Sequence, residues 1–143
     1  MNSLDMTSGL LFDIVDVFTD VAGKGNPVAV IHGTDDLSDE RMQSAASWLG
    51  LPETVFVRTK SNVEADYAVR IFAPLKELPF AGHPSIGALA ALRTRSAALA
   101  QKRIVKQECP AGLISMQVTD SSISFVTPGP AVVGQVSGDP SIH

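Results

Sequence analysis

Residues 69–89 read VRIFAPLKELPFAGHPSIGAL, a stretch that predicts three successive elements. A β-like run is followed by a proline-punctuated loop, and the loop leads into Gly82-His83-Pro84-Ser85 and a run of small and apolar residues. Pro84 suits the first turn of a helix, where its missing N–H costs nothing. The stretch therefore predicts a strand, a loop and a helix whose N-terminus carries His83 beside unpaired backbone N–H groups.

The helix predicted over Ile86–Leu92 is apolar on nearly every side. Such a helix is expected to be buried on most sides. Its glycine and alanines leave room for strands to approach closely. Together with the strands predicted elsewhere, this favours an α+β domain in which a curved sheet wraps around one central helix.

Alternation and turn residues predict about seven strands and two helices in all. A first helix begins after Ser38 as N-cap and ends at Gly50, and Ala97–Ala100 extends the second helix. The predicted strands are Leu10–Phe18, Val28–His32, Thr54–Arg58, Ala65–Phe72, Ile104–Glu108, Leu113–Val118 and Ile123–Val126.

The composition indicates one globular domain. The chain has 143 residues, 45% of them hydrophobic and 18% charged, with a net charge of −4. We expect a loose leader over residues 1–9, a single domain over residues 10–130, and a tail or truncated linker over residues 131–143.

Several function classes are disfavoured by the same composition. There is no run of Lys or Arg that would bind nucleic acid, and no stretch approaches the roughly 20 apolar residues of a membrane span. Cys109 is the only cysteine, which excludes an intrachain disulfide and favours a reduced, cytoplasmic setting. No phosphate loop, dinucleotide fingerprint or metal-ligand spacing occurs, so we predict no cofactor and no metal.

Two residues are the main candidates for chemistry. His83 at a helix N-terminus suits acid–base work or anion binding, and the alternative is a loop histidine that caps the helix. Glu53 lies among Leu51, Pro52 and Val55, and apolar surroundings favour the protonated form that a general acid needs. The alternative for Glu53 is an exposed turn residue.

The remaining candidates have simpler interpretations. Asn26, in Gly-Asn-Pro, is either a turn residue or an amide that faces a ligand. Cys109 is more simply a buried, inert thiol than a nucleophile. Glu77 is expected to be structural or solvated, and His32 and His143 lie at a strand end and in the tail.

Several segments together resemble the PhzF-type phenazine-biosynthesis family. They are DVFT at residues 16–19, GNPVAV at 25–30, LPETVFV at 51–57, RIFAP at 70–74 and ELPFAGHP at 77–84. Their order and spacing are similar to that family's across roughly residues 10–130. The resemblance implies a diaminopimelate-epimerase-like fold, with a curved, mostly antiparallel sheet wrapped around a central buried helix.

The resemblance also implies a function. Family members are cofactor-independent, and the best-known one isomerises a dihydro-hydroxyanthranilate by moving a proton along its conjugated carbons. By this resemblance Glu53 matches the general acid–base carboxylate, while His83 and Gly82 match groups that hold the substrate. Asn26 matches a position lining the cleft, and we expect Pro84 and Ser85 beside it at the substrate.

Members of that family have a second domain of comparable size, which supplies the other wall of the cleft. Without that wall, we expect Glu53 and His83 to face solvent. The chain could self-associate, most simply as a homodimer, pair with a separate second-half chain, or be a fragment or non-catalytic remnant. The expected function is isomerisation of a small cyclic or amino-acid-derived acid in secondary metabolism, and the alternative is a ligand- or partner-binding half-domain.

Overall fold

The computed structural model describes residues 10–17, 25–126 and 133–134, which form one mixed, curled sheet and its helices. The sheet order is β1-β2-β3-β4-β6-β7-β8-β9, and β5 pairs with β4 beside this path. The β2–β3 and β4–β6 pairs are parallel, and all other pairs are antiparallel. The prediction of an α+β domain with a mostly antiparallel sheet around a central helix is confirmed.

The bounds of the elements follow the predicted ones within a few residues. The strands are β1 Phe12–Val17, β2 Asn26–Ile31, β3 Glu53–Arg58, β4 Tyr67–Phe72, β5 Glu77–Leu78, β6 Ile104–Cys109, β7 Gly112–Val118, β8 Ile123–Phe125 and β9 Val133–Gly134. The helices are α1 Asp39–Leu49, α2 Gly82–Arg95 and α3 Ala97–Ala100.

The central helix is α2, and the inner face of the sheet closes around it. Eight consecutive residues, Pro84 through Ala91, are buried. Five of them, from Ile86 to Ala91, join alternate residues of β1, β2, β3 and β4 in one core, among them Val17, Val28 and Val55. A Cβ atom added at Gly87 would lie 3.3 Å from Cβ of Val28. Glycine at this position therefore sets how closely the helix approaches β2.

The outer face of the sheet carries a smaller core under α1. Met42 and Ala46 of the helix pack with Phe56 and Phe72, whose rings meet edge to face with centroids 5.4 Å apart. The ends of α1 lie where the sequence predicts them. The hydroxyl of Ser38 accepts the N–H of Arg41, and Gly50 adopts the left-handed conformation at φ 68°.

Three details differ from the predictions. Ala97–Ala100 does not extend α2, because Ser96 is extended at φ −127° and its hydroxyl instead caps α3. The short strand β5 lies within the segment predicted as a loop, where it pairs with Ile71 and Phe72. The described residues contain nine strands and three helices, against about seven and two predicted.

Other predictions fall on the remaining residues. Residues 1–9 and most of the segment after residue 126, including His143, lie outside the described part of the chain. Within the segment predicted as a tail, Val133–Gly134 pairs with β8 as β9.

Candidate active site

The candidate site lies at one edge of the sheet, where two parallel strands both begin. Asn26 is the first residue of β2, and Glu53 is the first residue of β3. Val28 is paired with Glu53 in the register of the two strands. Because side chains alternate along a strand, Asn26 and Val28 lie on the same face, and Glu53 beside Val28 points to that face too. Val28 packs against α2, so this is the inner face of the sheet.

The helix α2 runs along β2 in the same direction. Asn26 contacts His83, and Val28, two residues later, lies against Gly87, which is four residues after His83. Two strand residues advance by about 6.6 Å and four helical residues by about 6 Å, so the two elements stay level. Glu53, paired with Val28, therefore lies level with Gly87, about one helical turn further along α2 than His83.

His83 is held at this edge by an amide. Nδ2 of Asn26 lies 3.4 Å from Nδ1 of His83. An amide nitrogen only donates, so this hydrogen bond requires Nδ1 as acceptor and leaves the ring proton on Nε2. The side chain of His83 is exposed, as expected for a single domain.

Glu53 differs from the expectation that it would face solvent. The residue is half-buried, and its Oε1 atom is buried without a hydrogen-bond partner among the described residues. The alternative of an exposed turn glutamate is therefore wrong for this oxygen. The cause is its position at the start of β3, where the strand already lies within the sheet rather than in the preceding turn. A buried carboxyl oxygen without a partner costs free energy, so its burial calls for a functional explanation.

The start of α2 is otherwise lined by backbone and aromatic rings. Ala81 is the N-cap, and its side chain makes no capping hydrogen bond. A Cβ atom added at Gly82 would lie 3.5 Å from the ring of Phe125, and that ring meets Phe80 edge to face with centroids 5.5 Å apart. Phe80 and Phe125 give no local signal that they form a wall of the site, because Phe125 lies on β8, more than 40 residues away in the chain.

Pro84 and Ser85 are both buried. The hydroxyl of Ser85 donates to the carbonyl oxygen of Ala81 at 2.8 Å and accepts from Nε2 of Gln107 at 2.9 Å. These hydrogen bonds of Ser85 lie inside the fold, and contact of Pro84 or Ser85 with a substrate stays a prediction.

The secondary candidates have the structural roles that were expected. Both carboxyl oxygens of Glu77 accept hydrogen bonds from the guanidinium of Arg70. Cys109 is buried, and desolvation raises the pKa of its thiol. Nε2 of His32 lies 2.9 Å from Oδ2 of Asp13, a carboxylate that also receives two hydrogen bonds from Arg95.

A hollow of about 360 Å³ lies on the outer face of the sheet, away from Glu53. Arg58, Arg70 and Glu108 line it, and the guanidinium of Arg70 is paired there with Asp39 and Glu77. Among the described residues, no three His, Cys, Asp or Glu side chains are grouped to hold a metal ion. No helix in that part of the chain is long and apolar enough to cross a membrane.

Comparison with known proteins gives consistent results. The family model for PhzC-PhzF, described as phenazine biosynthesis-like protein, matches residues 15–132. A solved structure of the Bacillus anthracis phenazine biosynthesis protein of the PhzF family superposes with a TM-score of 0.72 at 31% identity, covering 81% of this chain and 40% of that one.

Two curated relatives show the same. The chain is 41% identical over 122 residues to "Antisense-enhancing sequence 1" of Schizosaccharomyces pombe, which covers 82% of the chain and 41% of the relative. It is 47% identical over 79 residues to the trans-2,3-dihydro-3-hydroxyanthranilate isomerase of Pseudomonas aeruginosa, covering 55% of the chain and 28% of that enzyme. The chain thus matches at most about two fifths of the length of these relatives. The family model spans most of the chain, and the sheet wrapped around α2 is the fold of its solved neighbours: the chain belongs to the PhzC-PhzF family of phenazine biosynthesis-like proteins.

Proposed function

We propose that the chain forms one wall of a cofactor-independent isomerase that moves a proton between carbon atoms of a small, carboxylate-bearing metabolite of cyclic or amino-acid origin. The proposed setting is secondary metabolism in the cytoplasm. The observation that carries the proposal is the buried, unpartnered Oε1 of Glu53 on the inner face of the sheet, about one helical turn along α2 from His83. The trans-2,3-dihydro-3-hydroxyanthranilate isomerase relative supplies the reaction type.

In the proposed reaction, Glu53 takes a proton from one carbon, the double bonds shift, and the carboxyl returns the proton to another carbon. The negative charge that builds up on the substrate is spread over its conjugated carbons and its carboxylate. Backbone N–H groups at the start of α2 favour binding of the carboxylate, which is charged throughout the reaction. We assign Gly82 and His83 to hold the anionic part of the substrate and Asn26 to orient His83. The reaction is balanced without an oxidant or a reductant.

The other wall of the cleft is proposed to come from a second polypeptide surface, in a homodimer or in a complex with a separate second-half chain. The exposed side chain of His83 leaves the site open to such a surface. The solution mass measured by light scattering over a range of concentrations tests this. A homodimer doubles the 15.1 kDa of the chain.

The catalytic proposal is tested by proton exchange. The purified chain is incubated in D₂O with trans-2,3-dihydro-3-hydroxyanthranilate as probe, and deuterium at carbon is measured by mass spectrometry. We expect incorporation with the wild type and a loss of about 100-fold or more in Glu53→Gln, the range of a general acid–base group. Glu64→Gln, at an exposed turn, is the matched control and should exchange like the wild type.

Equal exchange in Glu53→Gln and wild type would refute the role of Glu53. Binding of the probe without any exchange, at concentrations where the assembly is complete, would instead favour a non-catalytic binding half-domain.

A further inference from the structure

Three buried polar side chains form a continuous hydrogen-bonded chain from the sheet to the start of α2. The hydroxyl of Tyr67 on β4 lies 3.1 Å from Oε1 of Gln107 on β6. Nε2 of Gln107 lies 2.9 Å from Oγ of Ser85, and that oxygen lies 2.8 Å from the carbonyl oxygen of Ala81. Gln107 and Ser85 are 0% exposed and Tyr67 is 5% exposed. The chain of hydrogen bonds is therefore shielded from water along its whole length.

In this series of hydrogen bonds the donor-to-acceptor direction is the same throughout, from Tyr67 toward Ala81. The carbonyl of Ala81 only accepts, so Ser85 donates to it and uses a lone pair for Gln107. The amide nitrogen of Gln107 donates to Ser85, which leaves its Oε1 to accept from Tyr67. Burial raises the pKa of Tyr67, so its hydroxyl keeps its proton and remains a donor. One arrangement of the donors thus accounts for all three hydrogen bonds.

The last acceptor in this series of hydrogen bonds is the carbonyl of Ala81, which is the first carbonyl of α2. Ala81 is the N-cap, extended at φ −149° and ψ 139°, and its carbonyl receives both the hydroxyl of Ser85 and, at 3.3 Å, the N–H of Ser85. In a trans peptide the C=O and the following N–H point in opposite directions. With the carbonyl of Ala81 held toward Ser85, the N–H of Gly82 points out of the helix start.

We propose that Tyr67, Gln107 and Ser85 are positioning residues that fix the Ala81–Gly82 peptide, so that the N–H of Gly82 is aimed at the anionic group of the substrate. This rests on the proposed function, which assigns Gly82 to that group. It also gives Ser85 a role through the backbone rather than by contact with the substrate. Such a series of hydrogen bonds fixes the direction of the Gly82 N–H more firmly than the backbone hydrogen bond from Ser85 to Ala81 would alone.

The decisive variant is Gln107→Met, which keeps the length of the side chain and removes both hydrogen bonds. If Gly82 holds the substrate's anion, loss of its orientation weakens binding, so KM for trans-2,3-dihydro-3-hydroxyanthranilate should rise about tenfold while kcat stays within about twofold. A merely structural role predicts the reverse, because partial unfolding reduces the amount of active protein and lowers the apparent kcat at unchanged KM. Gln117→Met, the same change at an exposed position on β7, should leave both constants unchanged.

Tyr67→Phe provides a graded comparison. It removes only the outermost donor and leaves the Gln107–Ser85 hydrogen bond in place, so its rise in KM should be smaller than that of Gln107→Met. An equal or larger rise in KM in Tyr67→Phe would contradict this order of hydrogen bonds, in which Tyr67 is the residue furthest from Ala81.

A second measurement separates this inference from the proposed function. In protein labelled with ¹⁵N-glycine, the Gly82 amide resonance should shift and its hydrogen exchange should accelerate in Gln107→Met, and neither should change in Gln117→Met. If the wild type shows no turnover, the proposed function fails. This amide measurement still decides whether Tyr67, Gln107 and Ser85 position the Ala81–Gly82 peptide group. An unchanged Gly82 amide in folded Gln107→Met would overturn the inference.

Discussion

The side-chain amide of Asn26 lies 3.4 Å from Nδ1 of His83, so that residues 57 positions apart meet where β2 and α2 begin. The contact fixes the level of the helix relative to the strand, and Glu53, on the neighbouring strand, lies about one helical turn further along α2, level with Gly87. The candidate site is thus built from three element starts rather than from one loop.

Replacing Asn26 with alanine should weaken the site without unfolding the domain. The amide contributes one hydrogen bond at a half-exposed position, worth about 0.5–1.5 kcal/mol, so we expect exchange activity to fall roughly three- to tenfold. Asn62→Ala, in an exposed turn, is the control. Deuterium incorporation measures the activity, and equal losses in both variants would contradict a specific role for Asn26.

Replacing Gly87 with alanine should destabilise the domain, although this change usually stabilises a helix. The new Cβ would lie 3.3 Å from Cβ of Val28, a backbone-attached atom in the parallel β2–β3 pair that cannot rotate away. We expect a loss of about 1–3 kcal/mol in the free energy of unfolding, measured with urea.

Gly82→Ala is the matched comparison for Gly87→Ala, because its Cβ would meet Phe125 at an ordinary 3.5 Å. Its stability should be close to that of the wild type. A Gly87→Ala protein at least as stable as the wild type would mean that α2 can move away from β2.

Replacing Thr54 with valine should leave stability unchanged or increase it by about 1 kcal/mol. Thr54 is 0% exposed, and its hydroxyl has no hydrogen-bond partner among the described residues, so valine removes only the cost of an unpaired polar group. Thr34 is also 0% exposed, but its hydroxyl donates to the carbonyl of Val57 at 2.9 Å. Thr34→Val should therefore destabilise by about 1 kcal/mol, and the opposite order in thermal unfolding would refute this explanation.

The stability of the domain should fall in acid partly through Asp13. The hydrogen bonds from Arg95 lower the pKa of Asp13 below its ordinary value of 3.8; burial opposes this shift, and the hydrogen bond from His32 adds to it. A carboxyl whose pKa is lowered by folding stabilises the folded state above its unfolded pKa, and this contribution is lost as the pH falls below about 4. Asp13→Asn should thus cost on the order of 1 kcal/mol at pH 7 and less at pH 3.

Asp120→Asn serves as the control for this pH dependence, because Asp120 is 95% exposed. Urea unfolding at both pH values measures the effect. A cost for Asp13→Asn that is the same at pH 3 as at pH 7 would contradict the assignment to the ionised carboxylate.

Some of these features could be predicted from the sequence because the signals are local. Ser38 and Gly50 mark the ends of α1 by their own chemistry, and the run of small residues after Pro84 shows that α2 is buried. The strand β5 could not be predicted, because two residues become a strand only through their partner on β4.

The candidate site, too, could be predicted only where the signal is local. The pattern around Glu53 indicates apolar surroundings, but burial of one particular oxygen depends on where β3 starts within the sheet. The hydrogen bonds from Tyr67 through Gln107 to Ser85 join residues up to 40 positions apart, and nothing in the local pattern of any one of them indicates the others.

The burial of α2 also limits how such a protein can change over evolutionary time. Eight consecutive helical residues are enclosed by the sheet, so substitutions along the middle of the helix are filtered by packing before they can affect chemistry. Substitutions that alter the surface of the candidate site are therefore expected at Gly82 and His83 and at the starts of the neighbouring strands. We therefore expect the buried residues of α2 to vary less among related proteins than the residues at the rim of the domain.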